Sequence, residues 1–132
     1  MKRKILLILI TILCLASLIR IIDLSKVPPS LSWDEASIGY DAFSLGVDGK
    51  DQWGKSFPYI FQSFGEYKYP THIYATAILI KFFGLSNFIV RLPSALMGII
   101  NICLLFFLVR KLTESNNFIA LSAALFLSIS PW

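Results

Sequence analysis

The 132 residues are 56% hydrophobic and 15% charged, with a mean hydropathy of +0.70, more apolar surface than a soluble domain of this size can bury. The missing charge lies in long apolar tracts suited to crossing a membrane, which excludes an ordinary water-soluble globule. A net charge of +4 does not indicate nucleic acid as a partner, because the basic residues form no stripe and sit beside the apolar tracts, where positive-inside anchoring accounts for them.

Lys2, Arg3 and Lys4 precede an apolar run, residues 5–19, interrupted only by Thr11 and Ser17. A cleaved signal peptide shares that chemistry, but no A-x-A-like site follows. Residues 5–22 are therefore expected to remain as a first span of about 27 Å, with Arg20 snorkelling to the interface. Cys14 and Cys103 each lie within an apolar run and read as small core residues, with neither disulfide nor zinc spacing.

Residues 23–70 change character. They hold seven of the eight acidic residues, four of six prolines and ten of nineteen aromatics, too aromatic for a flexible linker and suited to lying against a membrane surface. Ser32 through Glu35 fits a capping box, so a short helix is expected to begin there. Trp33, Ala36, Tyr40 and Phe43 recur on one face, predicting an amphipathic interfacial helix that stops near Gly46, while Asp34 and Asp41 share another face. Turns are expected at Asp48-Gly49 and Trp53-Gly54, and residues 57–64 read as extended or irregular.

Residues 71–84, 92–109 and 118–132 are three further span candidates, the first short and flanked by Tyr67, Tyr69 and Lys81. Pro93 suits the first turn of the helix that follows it. The expected fold is an all-α integral membrane protein of about four transmembrane helices, with loop 23–70 extracytoplasmic and carrying its interfacial helix between the first two. With the N-terminus cytoplasmic, Lys81 and Arg91 fall inside and Arg110-Lys111 outside, and that last pair breaks the positive-inside rule.

The candidate catalytic residues are Asp34 and Glu35, adjacent carboxylates at a helix start just beyond a span. Acids in a first turn also stabilise the helix by about 0.3–1 kcal/mol, and Glu35 doubles as the capping partner. Glu66, Lys68 and His72 form a second polar cluster around Pro70. Lys68 and Arg91 are candidates for a donor phosphate, although Lys68 also suits snorkelling and Arg91 a cytoplasmic charge anchor. Glu66 and His72 are two candidate ligands for a divalent metal ion, the one cofactor these residues suggest, if other segments supply more. No phosphate-binding glycine loop, HExxH, nucleophile elbow, CxxC pair or EF-hand is present.

Several stretches together resemble the N-terminal region of GT-C glycosyltransferases: Trp33-Asp34-Glu35-Ala36 followed by Gly39-Tyr40-Asp41-Ala42, Gly65 through Pro70, and Phe83 through Phe88 leading into Arg91 through Leu96. The nearest pattern is that of bacterial members of the dolichyl-phosphate-mannose protein mannosyltransferase group, which includes lipid A aminoarabinose transferases. The resemblance implies a piece of a longer multi-pass cell-membrane enzyme, inactive alone. It implies a polyprenyl-phosphate sugar donor, an acceptor protein, lipid or glycan, and membrane lipids as partners, with no nucleic acid. By motif position the catalytic acid is Asp34, with Glu35 beside it. An acid-Lys-Pro motif of the aminoarabinose branch would fall on Glu66, Lys68 and Pro70, here separated by Tyr67 and Tyr69. A transporter module and a small structural membrane protein are the competing readings.

Overall fold

The structure, a computed structural model, describes residues 3–130. It is mostly helical, in the order α1 (Arg3–Ile21), α2 (Trp33–Asp48), β1 (Phe61–Ser63), β2 (Glu66–Lys68), α3 (Pro70–Phe83), α4 (Asn87–Leu112) and α5 (Asn117–Ile129). The chain forms two compact units, Asp23–Ser94 and a second made of the flanking sequence.

In the flanking unit, Leu9, Ile12 and Ala16 of α1 pack with Ile102 and Phe106 of α4 and with Ala120 and Ala124 of α5. The alanines let the helix backbones approach closely. Outward residues stay apolar and exposed, Leu7 and Leu104 among them, as lipid-facing helices require. Arg20 does not snorkel as expected. It is 3% exposed and donates to the carbonyls of Ser128 at 2.8 Å and Leu127 at 3.0 Å, the unpaired end of α5. A cation at a helix C-terminus meets the negative end of its dipole, which is reason enough to hold the side chain inward. Gly98 makes room for it, since a Cβ there would stand 3.0 Å from Arg20 Nε.

Among the described residues, two helices are long and apolar enough to cross a membrane, α1 and α4. The 14-residue α3 rises only about 21 Å, well short of a hydrocarbon core of about 30 Å. It packs along α2 instead. The 13-residue α5 is also short, about 20 Å, and residues 131 and 132 of the fourth expected span lie outside the described residues. Of the four expected spans, α1 and α4 therefore have full spanning length among the described residues.

Within Asp23–Ser94, the capping box forms as the sequence predicts: Ser32 Oγ accepts from the Glu35 amide and Glu35 Oε2 accepts from the Ser32 amide. The helix passes through Gly46 and ends at Gly49, whose φ of 67° is left-handed. Its expected apolar face points outward: Trp33, Tyr40 and Phe43 are exposed, while Ser37, Asp41, Ala42 and Leu45 are buried. Ala42 and Leu45 join Phe61, Ile73, Ala77, Ile80 and Ile89 in the core. The polar members of the inner face are paired, Ser37 with Ser63 and Asp41 with the Gln52 amide at 3.0 Å.

The irregular stretch expected at 57–64 ends in a hairpin, with Phe61 opposite Lys68 and Ser63 opposite Glu66. Phe64 and Gly65 both have positive φ, the twist that lets a two-residue turn close antiparallel strands. Pro93 sits inside α4, six residues after its start at Asn87, because Ser86 and Asn87 already begin that helix ahead of the expected first turn.

Candidate active site

The site grows from the start of α2 and from strand β2. The capping box fixes the first turn of α2, so Asp34 projects outward with its side chain 73% exposed. Alternation along β2 puts Glu66 and Lys68 on one face with Tyr67 between them, which is how residues separated in sequence by a tyrosine come to the same side. Lys68 Nζ stands 2.9 Å from Asp34 Oδ1, with the Lys68 side chain only 14% exposed. The ammonium has no aligned hydrogen bond, so Asp34 is its sole ionic partner among the described residues and its remaining donors face no acceptor.

This pair opens into a cleft of about 400 Å³, also lined by Glu66, Tyr67, Tyr69 and His72. Trp33, the residue before Asp34, packs edge-on against Phe64 with ring centroids 5.8 Å apart. His72 is half-buried, its Nε2 at 3.5 Å from Ser94 Oγ. Glu66 and His72 thus share the cleft, but among the described residues no group of three His, Cys, Asp or Glu side chains is placed to hold a metal ion.

Glu35 and Arg91 do something different from what their sequence positions suggest. Arg91 is 3% exposed, and each of its five N–H donors has an acceptor. Nε and Nη2 reach Glu35 at 2.8 and 3.2 Å. Nη1 reaches the carbonyls of Leu24 and Pro28, both at 3.0 Å, and Nη2 that of Ser30 at 2.9 Å. No donor remains for a phosphate. The expectation that Arg91 lies on the opposite membrane side from the loop is also corrected, because a residue 2.8 Å from Glu35 shares its side. Arg91 is a clasp on residues 24–35.

The same clasp occupies Glu35. Its hydrogen bond with Arg91 holds the carboxyl below its ordinary pKa, burial acting against it, and both oxygens are engaged. Of the two adjacent acids, Asp34 alone faces the cleft with an accessible carboxylate. Beneath the site, burial pushes the Asp41 carboxyl up while the Gln52 amide partly restrains it. Asp41, Gln52 and the cleft tyrosines were not singled out as site residues from the sequence; period-two reading of residues 66–69 is the signal that would have found the tyrosines.

The chain matches no curated protein and no solved structure. Residues 68–132, from the cleft's Lys68 through α5, match the family model for dolichyl-phosphate-mannose-protein mannosyltransferases. Asp34 and Glu35 precede that match. Over residues 68–132 the chain is similar to the dolichyl-phosphate-mannose-protein mannosyltransferase family, which is of GT-C type.

Proposed function

We propose that the Asp34–Lys68 cleft transfers a sugar from a polyprenyl-phosphate donor to an acceptor hydroxyl on the extracytoplasmic side, with inversion at the anomeric carbon. The observation that carries this is one exposed carboxylate paired at 2.9 Å with one shielded ammonium at the mouth of a cleft. A lipid-linked sugar cannot leave the bilayer, so its reactive carbon is met at the interface, and the outward aromatic face of α2 suits that depth.

In the step itself the acceptor oxygen attacks the anomeric carbon on the face opposite the phosphate. The hydroxyl proton passes to Asp34, the bond from that carbon to the phosphate oxygen breaks, and the electron pair leaves with polyprenyl phosphate. Lys68 offsets the charge that develops there, acting as a fixed cation in a partly dehydrated site. A bound phosphate competes with Asp34 for the ammonium, which loosens the ion pair and leaves the carboxylate free to act as base. Glu35 and Arg91 support the reaction by holding the first turn of α2 in place.

The test uses the full-length protein in membranes, supplied with radiolabelled polyprenyl-phosphate mannose. Asp34→Asn is expected to lower transfer at least about 100-fold, the scale of a general base, with donor binding retained. Transfer near the wild-type rate removes Asp34 from the role.

A further inference from the structure

Beneath the cleft two buried carboxylates lie together with an acceptor oxygen left over. Asp41, on the inner face of α2, is 0% exposed, and Asp51, in the turn that follows that helix, is 3% exposed. Asp41 Oδ1 accepts from the Gln52 amide at 3.0 Å. That nitrogen is bonded to the carbonyl carbon of Asp51, so both side chains stand beside a single peptide unit. Asp51 Oδ1 accepts from the amides of Trp53 and Lys55 at 2.9 and 2.8 Å. Its Oδ2 is buried with no partner among the described residues, and Asp41 Oδ2 has only the Gln52 side-chain amide, at 3.5 Å.

No basic side chain neutralises the pair. Among the described residues neither carboxylate takes part in an ion pair. Lys68 faces Asp41 from β2 and its charge favours ionisation, but that ammonium is held by Asp34 at 2.9 Å. From α3, Tyr74 feels the Asp51 charge, while its hydroxyl donates to the Pro58 carbonyl at 3.2 Å. Two like charges beside one buried peptide repel, whereas a single proton removes one charge and supplies the donor that Asp51 Oδ2 lacks. A divalent cation suits the place less well, since it takes about six or more oxygens and two are free here.

We infer that Asp41 and Asp51 hold one proton between them, Asp41 Oδ2–H donating to Asp51 Oδ2, and that this bond latches the turn at residues 49–57 onto α2. The same turn seats strand β1, because the Gln62 carbonyl accepts from Gln52 Nε2 and Trp53 Nε1, each at 2.8 Å. Strand β1 in turn pairs Phe61 with Lys68. As pH rises the proton passes to water, the two anions repel, and the turn loosens from α2. The seat of the hairpin therefore depends on pH.

Thermal midpoints of the solubilised full-length protein at pH 4 and pH 8 test the latch. Asp41→Asn and Asp51→Asn each keep an acceptor for the backbone amides and place an N–H where the shared proton sits. Each is expected to raise the midpoint at pH 8 by about 2–4 °C and to bring no gain at pH 4. The double variant is expected to gain no more than either single one, because the second change removes no further repulsion. In infrared difference spectra between pH 5 and pH 8, the wild type is expected to lose a protonated-carboxyl band that neither single variant shows. Gains that add, a gain confined to Asp41→Asn, or a band that survives in both variants overturns the shared proton. So does a wild-type midpoint that rises with added calcium while those of the variants do not, which assigns a cation to the pair instead. Neither readout uses sugar transfer, so failure here leaves the transferase reading standing.

Discussion

Arg91 shows how much of this site depends on one side chain that never touches the cleft. Its planar fork gathers three backbone carbonyls and Glu35, which sets where residues 24–35 run and so where Asp34 points. Arg91→Ala leaves those acceptors without donors in a buried place, a loss of about 2–4 kcal/mol. A clear drop in the thermal midpoint of the solubilised protein is expected, and Arg91→Lys recovers less than half of it because an ammonium lacks the fork. An unchanged midpoint in the alanine variant means the clasp does not form. The two perturbed carboxyls make opposite pH signatures. Glu35 has a depressed pKa in the folded state, so its contribution is present above the unfolded pKa and is lost as pH falls through the folded one. Asp41 has a raised folded pKa because it is buried, so it carries a penalty at high pH that fades as both states become protonated. Asp41→Asn keeps an acceptor for the Gln52 amide while removing that penalty. It is expected to stabilise the protein at pH 8 and to lose the advantage toward pH 4, measured as midpoints at both values; equal destabilisation at the two contradicts the burial argument.

At the scale of elements, local chemistry was legible in the sequence and partnership was not. The capping box at Ser32 and Glu35 could be read because all of its parts lie within four residues. The end of α2 was misread, since Gly46 and Gly49 are equally plausible stops until the backbone shows which one is left-handed. The orientation of α2 was also hidden. Its aromatic stripe is exposed, as an interfacial helix requires, but nothing in the stripe tells that the small and polar residues opposite it pack on α3. Arg91 was unreadable for a related reason, because its acceptors are mostly backbone carbonyls 61 to 67 residues away. The two glycines offer a direct test. A Cβ at Gly46 meets only the Ala77 carbonyl at 3.6 Å, whereas Gly49 has φ +67° and Phe57 at 3.1 Å. Gly46→Ala is expected to stabilise by about 0.5–1 kcal/mol through helix propensity, and Gly49→Ala to destabilise by about 1–2 kcal/mol through the left-handed strain. Thermal midpoints that shift in the reverse order would restore Gly46 as the helix end.

For the whole molecule, the length of α3 decides the path of the chain. Counting residues 71–84 as a crossing put Arg110 and Lys111 outside, against the positive-inside rule. With α3 short and packed on α2, the predicted path crosses at α1 and next at α4, which puts Arg110 and Lys111 on the same side as Arg3 and Lys4. The rule then holds at both ends. The contacts of Arg91 with Leu24, Pro28 and Glu35 suit the same path, because they tie the start of α4 to residues 24–35. α5 runs back from that basic turn, and Arg20 holds its last carbonyls. The prediction is made with reporters fused within the full-length sequence. Alkaline phosphatase, which folds only outside the cytoplasm, is expected to be active after Gly54 and inactive after Thr113, and a green fluorescent protein after Thr113 to be bright. Phosphatase activity after Thr113 requires an additional crossing between Gly54 and α4. That crossing would have to be α3, which at about 21 Å could span only by thinning the bilayer and by breaking the Arg91 clasp that keeps Asp34 at its cleft.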